Sequence, residues 1–178
     1  KKIAASEYDK AVALLEKKII SAGIFEFYPV VNSNFTNKKE VVLKRINKFI
    51  KKYSKKFTVK SIYLEMIGFD INYDIWSFDS FAYDKVGGTK NQEWLCYFNS
   101  EPLHETVLVG MEPAQKFFEW YEKKECDGPC KGTCNDSHPE YEKVYECAVL
   151  LVMCKFIKFI SEVVNSGELY LKIPVFVT

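Results

Sequence analysis

Residues 59–83, VKSIYLEMIGFDINYDIWSFDSFAY, decide the fold class that the sequence predicts. The stretch holds two runs of strand-forming residues, Val59–Phe69 and Ile75–Tyr83, and the turn-forming residues 72–74, Asn-Tyr-Asp, lie between them. A third strand-like run, Glu93–Phe98, follows after a glycine-containing turn. We expect these three strands to pair as an antiparallel meander.

Helical patterns frame this group of strands on both sides. Apolar residues recur there at three- and four-residue spacing, which is typical of amphipathic helices. The predicted helices are Ser6–Ala22, Lys38–Tyr53, Pro113 to near Lys124, and Pro139–Val164. Shorter strands are predicted at Ile24–Val31, Thr106–Val109 and Leu169–Val177.

Strands that are gathered between helices, rather than alternating with them, favour an α+β fold. The length of 178 residues suits one domain of ordinary size. We predict a single α+β domain over residues 1–178, with an antiparallel sheet of about five strands and about four helices packed mainly on one face. A mixed sheet is the alternative.

The composition is that of a folded protein. Hydrophobic residues make up 48% of the chain and aromatic residues 16%, which excludes a chain that is disordered throughout. The most apolar run, Cys147–Cys154, is too short to cross a bilayer, so we expect no membrane span. The chain begins with Lys1 rather than Met. We expect a cytoplasmic protein, and a removed signal peptide would make it an exported one instead.

The net charge of +1 conceals an uneven distribution of charge along the chain. Residues 1–60 carry fifteen Lys or Arg against five Asp or Glu, and the remainder carries ten against nineteen. The predicted helix Lys38–Tyr53 has an apolar stripe on one side and lysines on the other. We predict a partner surface at the lysines Lys44, Lys48, Lys51 and Lys55.

Clustered lysines attract nucleic acid, an anionic membrane surface or an acidic protein. Recognition of bases relies on bidentate guanidinium groups, and Arg45 is the one arginine of the chain. A solvated helix face is the ordinary explanation of such a pattern. A protein partner comes next, and nucleic acid comes last.

A cysteine-rich loop is predicted at residues 126–138, CDGPCKGTCNDSH, because its glycines and its proline oppose a regular helix. Cys126, Cys130, Cys134 and His138 follow one another at four-residue spacing. Three thiolates and one imidazole suit tetrahedral Zn²⁺, and four protein ligands would make the site structural. The spacing differs from that of common zinc ribbons and of iron–sulfur sites in radical enzymes. Free thiols, or a disulfide in an exported protein, are the alternatives.

Carboxylate residues recur along the predicted central strands, where they could bind a metal ion or take part in acid–base catalysis. They are Glu65, Asp70, Asp74, Asp79 and Asp84. Their spacing mixes four and five residues, which would place them on different faces of alternating strands. We therefore predict turn and solvent-face positions for them. The sequence also lacks the Gly-x-Ser-x-Gly motif of hydrolases, so we incline to a protein that is not an enzyme.

Three segments in the middle of the chain resemble one class of proteins. They are Trp76–Tyr83 (WSFDSFAY), Glu93–Phe98 (EWLCYF) and Val107–Gln115 (VLVGMEPAQ). They resemble small bacterial immunity-type proteins, which neutralise toxin domains of interbacterial competition systems and pair such strands with a Gly-hydrophobic-Glu helix start. The resemblance implies a non-enzymatic scaffold that binds a toxin domain stoichiometrically, and it transfers no site residues. The exposed lysines on the second predicted helix would face such a partner, whereas the acidic second half of the chain would suit a basic toxin, and both surfaces stay open.

Two other functions stay open at this point. The cysteine-rich loop would make the chain a small zinc-binding metalloprotein of unknown activity. The basic helix would make it a nucleic-acid binder whose affinity falls with salt.

Overall fold

The computed structural model describes residues 5–67, 75–88, 92–101, 103–127 and 139–178, without the side chains of residues 5, 6, 103–105, 124–127 and 139. Within this part of the chain there are five α-helices: α1 Ala5–Ser21, α2 Tyr28–Asn32, α3 Lys39–Tyr53, α4 Glu112–Asp127 and α5 Pro139–Asn165. Four strands are present: β1 Ser61–Ile67, β2 Ser77–Tyr83, β3 Leu103–Val107 and β4 Val175–Val177. Short 3-10 helices lie at Phe25–Phe27 and Glu93–Cys96.

The four strands form one mixed sheet in the order β3-β2-β1-β4. β1 and β2 pair in antiparallel fashion, from Ser61 opposite Tyr83 to Ile67 opposite Ser77. β3 adds antiparallel to β2, and β4 adds parallel to β1. The α+β class is therefore confirmed. In the described residues the sheet has four strands rather than about five, and five helices replace the predicted four.

Two predicted strands are wrong. The stretch Ile24–Val31 forms a 3-10 turn and the start of α2, where Pro29 lies in the first turn. A helix leaves its first N–H groups without partners, so a proline is tolerated there despite the strand-forming residues around it. The stretch Glu93–Phe98 contains a 3-10 turn instead of the third meander strand.

The other predicted elements are present with shifted ends. α1, α3 and α5 agree with their predicted bounds to within one or two residues, and α4 begins one residue earlier and ends a turn later than predicted. The last strand is confined to Val175–Val177. The predicted turn at residues 72–74 lies outside the described residues.

The described chain divides into two compact units. The first unit comprises the described residues of 1–36 and 109–158, and the second comprises 37–108 and 159–178. This division does not test the prediction of a single domain, which stays a prediction.

Aromatic rings form the core of the first unit. The ring of Phe27 lies 4.7 Å from that of Phe117 and 5.2 Å from that of Tyr141. Tyr121 stacks on Tyr145 with their centroids 4.4 Å apart. Such pairs add to the stabilisation that comes from area burial alone, so these rings hold the 3-10 helix Phe25–Phe27, α4 and α5 together.

A buried lysine donates hydrogen bonds to the carbonyl groups at the C-terminal end of α2. Lys155, on α5, is only 4% exposed. Its Nζ donates hydrogen bonds to the carbonyl oxygens of Val30 at 3.1 Å, Val31 at 2.7 Å and Ser33 at 2.7 Å. Glu16 Oε1 of α1 lies 3.2 Å from the same nitrogen. Because helix ends leave carbonyl groups without partners, the ammonium group supplies the donors that α2 lacks.

The start of α4 explains the Gly-Met-Glu sequence in physical terms. Gly110 has a φ of 98°, and its N–H donates to Glu112 Oε1 at 3.0 Å and Oε2 at 2.9 Å. A Cβ at Gly110 would clash with the carbonyl oxygen of Asn34. The position therefore requires glycine for both its backbone conformation and its close approach to the chain.

The second unit contains the sheet. Ile62, Leu64 and Ala82 are fully buried on one face, and α3 packs against β2. Tyr63 and Phe81 stack on the other face with their centroids 5.8 Å apart. Alternation along the strands separates these two sets of side chains.

The segment that contains the 3-10 turn Glu93–Cys96 covers the aromatic face. The ring of Trp94 lies 4.9 Å from that of Tyr83 and 5.1 Å from that of Phe176. Its Nε1 donates to the carbonyl oxygen of Gly88 at 3.0 Å. A Cβ at Gly87 would clash with the same indole, so the ring rests directly on the glycine backbone. The aromatic residues of this segment pack on the sheet rather than extend it.

Among the described residues, no helix combines the length and the apolar character that crossing a membrane requires.

Candidate partner-binding surface

The four lysines that we predicted as a partner surface lie on one side of α3 and in the turn after it. Lys44, Lys48, Lys51 and Lys55 are all exposed, and we call them the lysine face. Their spacing of four, three and four residues places them in one row along the helix. Within the described part of the chain, none of the four takes part in an ion pair.

The opposite side of α3 is anchored in the second unit. Six of its side chains are buried: Val42, Leu43, Ile46, Phe49, Ile50 and Tyr53. Burial of a large aliphatic or aromatic side chain contributes about 1.5–3 kcal/mol each, which far exceeds the repulsion among screened lysines. The apolar stripe therefore determines which side of the helix presents the lysines to solvent.

Polar contacts fix the helix along its length. Asn47 Nδ2 donates to the carbonyl oxygen of Glu168 at 2.9 Å, and the N–H of Tyr170 donates to Asn47 Oδ1 at 2.7 Å. Near the first turn, Lys39 Nζ lies 2.7 Å from Glu162 Oε2. The lysine face is consequently presented by a helix whose position is set at several points.

Two further lysines flank the end of α3. The Nζ atoms of Lys52 and Lys56 lie 5.0 Å and 5.3 Å from the ring centroid of Tyr53. The Tyr53 hydroxyl donates to the carbonyl oxygen of Glu101 at 3.1 Å. Because an aromatic face attracts cations, Tyr53 holds two exposed ammonium groups beside the lysine face.

The predicted zinc ligands fall almost entirely outside the described residues. Cys126 lies in the last turn of α4, where its side chain is not described, and Cys130, Cys134 and His138 lie outside the described part of the chain. Elsewhere, no group of three or more His, Cys, Asp or Glu side chains that the structure describes could hold a metal ion. The zinc site stays a prediction.

One pair of carboxylates is placed differently from the prediction. Glu65 of β1 lies directly opposite Asp79 of β2, so both side chains point to the same face of the sheet. Asp79 is only 6% exposed rather than on the solvent face. Burial raises the pKa of the neighbouring Tyr63, and the charge of Glu65 adds to the rise. Spacing along the chain could not reveal this pair, because the strand register decides which residues face each other.

The sequence reasoning also missed Lys155. The residue falls on the apolar stripe of α5, between Leu151 and Phe159 at four-residue spacing. A lysine at a core position of a helix is the signal that could have revealed a buried ammonium group with carbonyl partners. Its surroundings give it a structural role in the first unit.

Comparisons of this chain with family models, with curated proteins and with solved structures found no match. The resemblance to immunity-type proteins therefore rests on the three sequence segments alone.

Proposed function

We propose that this chain is a non-enzymatic binding protein of the immunity type, which neutralises a toxin domain by stoichiometric binding, and that the lysine face contacts an acidic surface of that partner. The observation that supports the proposal most is the lysine face itself. It presents four exposed lysines that form no ion pair with a described residue, on a helix that is anchored from behind.

The physical argument concerns the charge and the rigidity of this surface. A surface of one charge sign accelerates association with a partner of the opposite sign and disfavours other partners. A helix that is already positioned loses less conformational freedom on binding than a loop does. An inhibitor that must reach its target rapidly benefits from both properties.

The proposal is tested with a fourfold charge reversal, Lys44→Glu, Lys48→Glu, Lys51→Glu and Lys55→Glu. Toxin domains with acidic surfaces are co-expressed with the chain in a host cell, whose growth reports neutralisation, and calorimetry measures affinity and stoichiometry. We expect one-to-one binding by the parent chain and an affinity reduced by about tenfold or more in the variant.

The matched control reverses four exposed lysines of the first unit: Lys10, Lys17, Lys18 and Lys123. We expect this variant to bind and protect like the parent chain, although its net charge changes by the same amount. Equal losses in both variants would show that net charge matters rather than the lysine face. A complex that tolerates the reversal of the lysine face would contradict the proposed surface.

Nucleic acid is the second candidate partner, because the same four lysines fit a phosphate backbone. The distinguishing measurement is binding of the parent chain to unrelated oligonucleotides between about 50 and 200 mM salt. Binding that weakens steeply over this range and depends on the lysine face would assign the surface to nucleic acid instead.

A further inference from the structure

An apolar groove lies on the surface of the first unit. Its volume is about 290 Å³, and its walls come from the segment around α2 on one side and from α4 on the other. The lining residues are Glu26, Pro29, Pro113, Lys116, Phe117 and Trp120. Both prolines are conformationally fixed, so the groove needs little ordering before it accepts a ligand.

One large aromatic side chain in the lining of this groove is exposed. Trp120 is 43% exposed. Partly exposed aromatic residues beside rigid apolar walls are typical of protein interfaces. Tryptophan is among the residues that are enriched at the hot spots of such interfaces. The groove has the composition of an interface core.

The charges of the groove are arranged to suit a second copy of the same surface. Glu26 lies on the α2 side and Lys116 on the α4 side. Neither side chain forms an ion pair with another described residue. In an interface with two-fold symmetry, a residue on one side of the axis in one copy contacts the residue that lies on the other side of the axis in the second copy. Glu26 of each chain would then face Lys116 of the other, and both pairs would be attractive.

We propose that this groove is a homodimer interface, in which two copies of the chain meet across a two-fold axis and the Trp120 side chains cover the apolar walls. Single surface charges of both signs make the groove self-complementary, whereas a partner of one charge sign would leave one of the two charges unmatched. The surface that lines the groove is small beside the roughly 800 Å² that each partner buries in a stable complex, so we expect a weak dimer with a dissociation constant between about 1 µM and about 1 mM.

Sedimentation equilibrium of the full chain, over protein concentrations on either side of that range, tests the proposal. We expect a reversible monomer–dimer equilibrium in the parent chain and a dissociation constant raised about tenfold or more by Trp120→Ala. The matched control is Leu150→Ala, which removes an apolar side chain that is 51% exposed on α5 and does not line the groove. It should leave the dissociation constant unchanged.

Charge exchange separates a specific interface from a misfolded variant. Glu26→Lys alone should weaken the dimer, because each lysine would then face a lysine, and the double variant Glu26→Lys with Lys116→Glu should restore it to within about threefold of the parent. A chain that remains monomeric at every concentration overturns the proposal. A dimer that is indifferent to Trp120→Ala and to the single charge reversal overturns it as well.

Discussion

At the scale of single residues, Lys155 is the most deeply buried of the charged side chains that the structure describes. Its ammonium group donates to three carbonyl oxygens and pairs with Glu16 while being almost fully buried. Removal of a buried donor leaves its acceptors without partners, which costs more than the net contribution of the hydrogen bonds themselves. The lysine is tolerated at a core position because every one of its protons has an acceptor.

We expect Lys155→Met to lower the free energy of unfolding by about 3 kcal/mol. The methionine side chain is of similar length to that of lysine but lacks the three N–H donors. Urea denaturation measures this change. The control is Lys158→Met, three residues further along α5, where a partly exposed Lys158 Nζ lies 2.6 Å from Asp9 Oδ1. An exposed ion pair contributes less than about 1 kcal/mol, so equal losses in the two variants would contradict the special role of Lys155.

The same variant has a signature in its pH dependence. Burial lowers the pKa of Lys155, and Glu16 acts in the opposite direction. The unfolded chain therefore holds this proton more tightly than the folded chain does. The contribution of Lys155 to the free energy of unfolding rises with pH from the folded-state pKa up to about 10.4. The difference between the parent chain and Lys155→Met should grow with pH over that window, and a constant difference would show that burial does not disfavour the charge.

At the scale of elements, the junction before α4 depends on Gly110. The residue combines a φ of 98° with close contact to Asn34 and Thr36, and the N–H of Thr36 donates to the carbonyl oxygen of Val109 at 2.8 Å. An added Cβ would need both a strained backbone and movement of the neighbouring chain. The helix start and the loop around residue 36 are thus coupled through one glycine.

We expect Gly110→Ala to lower the free energy of unfolding by about 3 kcal/mol. Gly23→Ala is the matched control, because Gly23 has a φ of 70° but an added Cβ there would meet nothing within 4 Å. Backbone strain alone should cost the control about 1 kcal/mol. The difference between the two variants in the free energy of unfolding, measured by urea denaturation, reports the steric clash at Gly110. Equal losses in the two variants would mean that the neighbouring chain moves away from the added Cβ without a loss of stability.

The elements also show how far local pattern predicts structure. The stripe from Val42 to Tyr53 and the long pattern of α5 predicted their helices nearly to the residue, because each has a whole side buried. The stretches Ile24–Val31 and Glu93–Phe98 have strand-forming residues and are 3-10 and helical turns. In these short segments, packing of rings such as Phe27 and Trp94 against distant partners outweighs local propensity.

At the scale of the whole molecule, the sheet is completed by β4, which pairs with β1 although more than 100 residues separate the two strands in the chain. The N–H of Met66 donates to the carbonyl oxygen of Thr178 at 2.9 Å, and the N–H of Thr178 donates to that of Leu64 at 3.1 Å. The hydroxyl groups of Tyr63 and Thr178 also form a hydrogen bond. β4 therefore covers the edge of β1 that β2 leaves open.

Deletion of residues 175–178 should expose that edge of β1. We expect hydrogen exchange at the Met66 amide to become faster by about a hundredfold or more, because its acceptor is lost and opening then costs little. The internal control is the Lys60 amide, which donates to the carbonyl oxygen of Tyr83 at 2.8 Å across the β2 side. Thr178→Val, which keeps the strand, should leave the Met66 amide protected. Continued protection of Met66 in the deletion variant would contradict the role of β4.

The sequence by itself determined the α+β class, because that class follows from the order of strand and helix patterns along the chain. It also determined the main helices and the exposure of the lysine face, because both follow from residue spacing along one element. Only the tertiary structure decided that β4 joins β1 in parallel, that Glu65 faces Asp79, and that Lys155 caps α2. These three features join segments that are distant in the chain. Their geometry depends on strand register and on packing between elements, and neither is encoded in local periodicity.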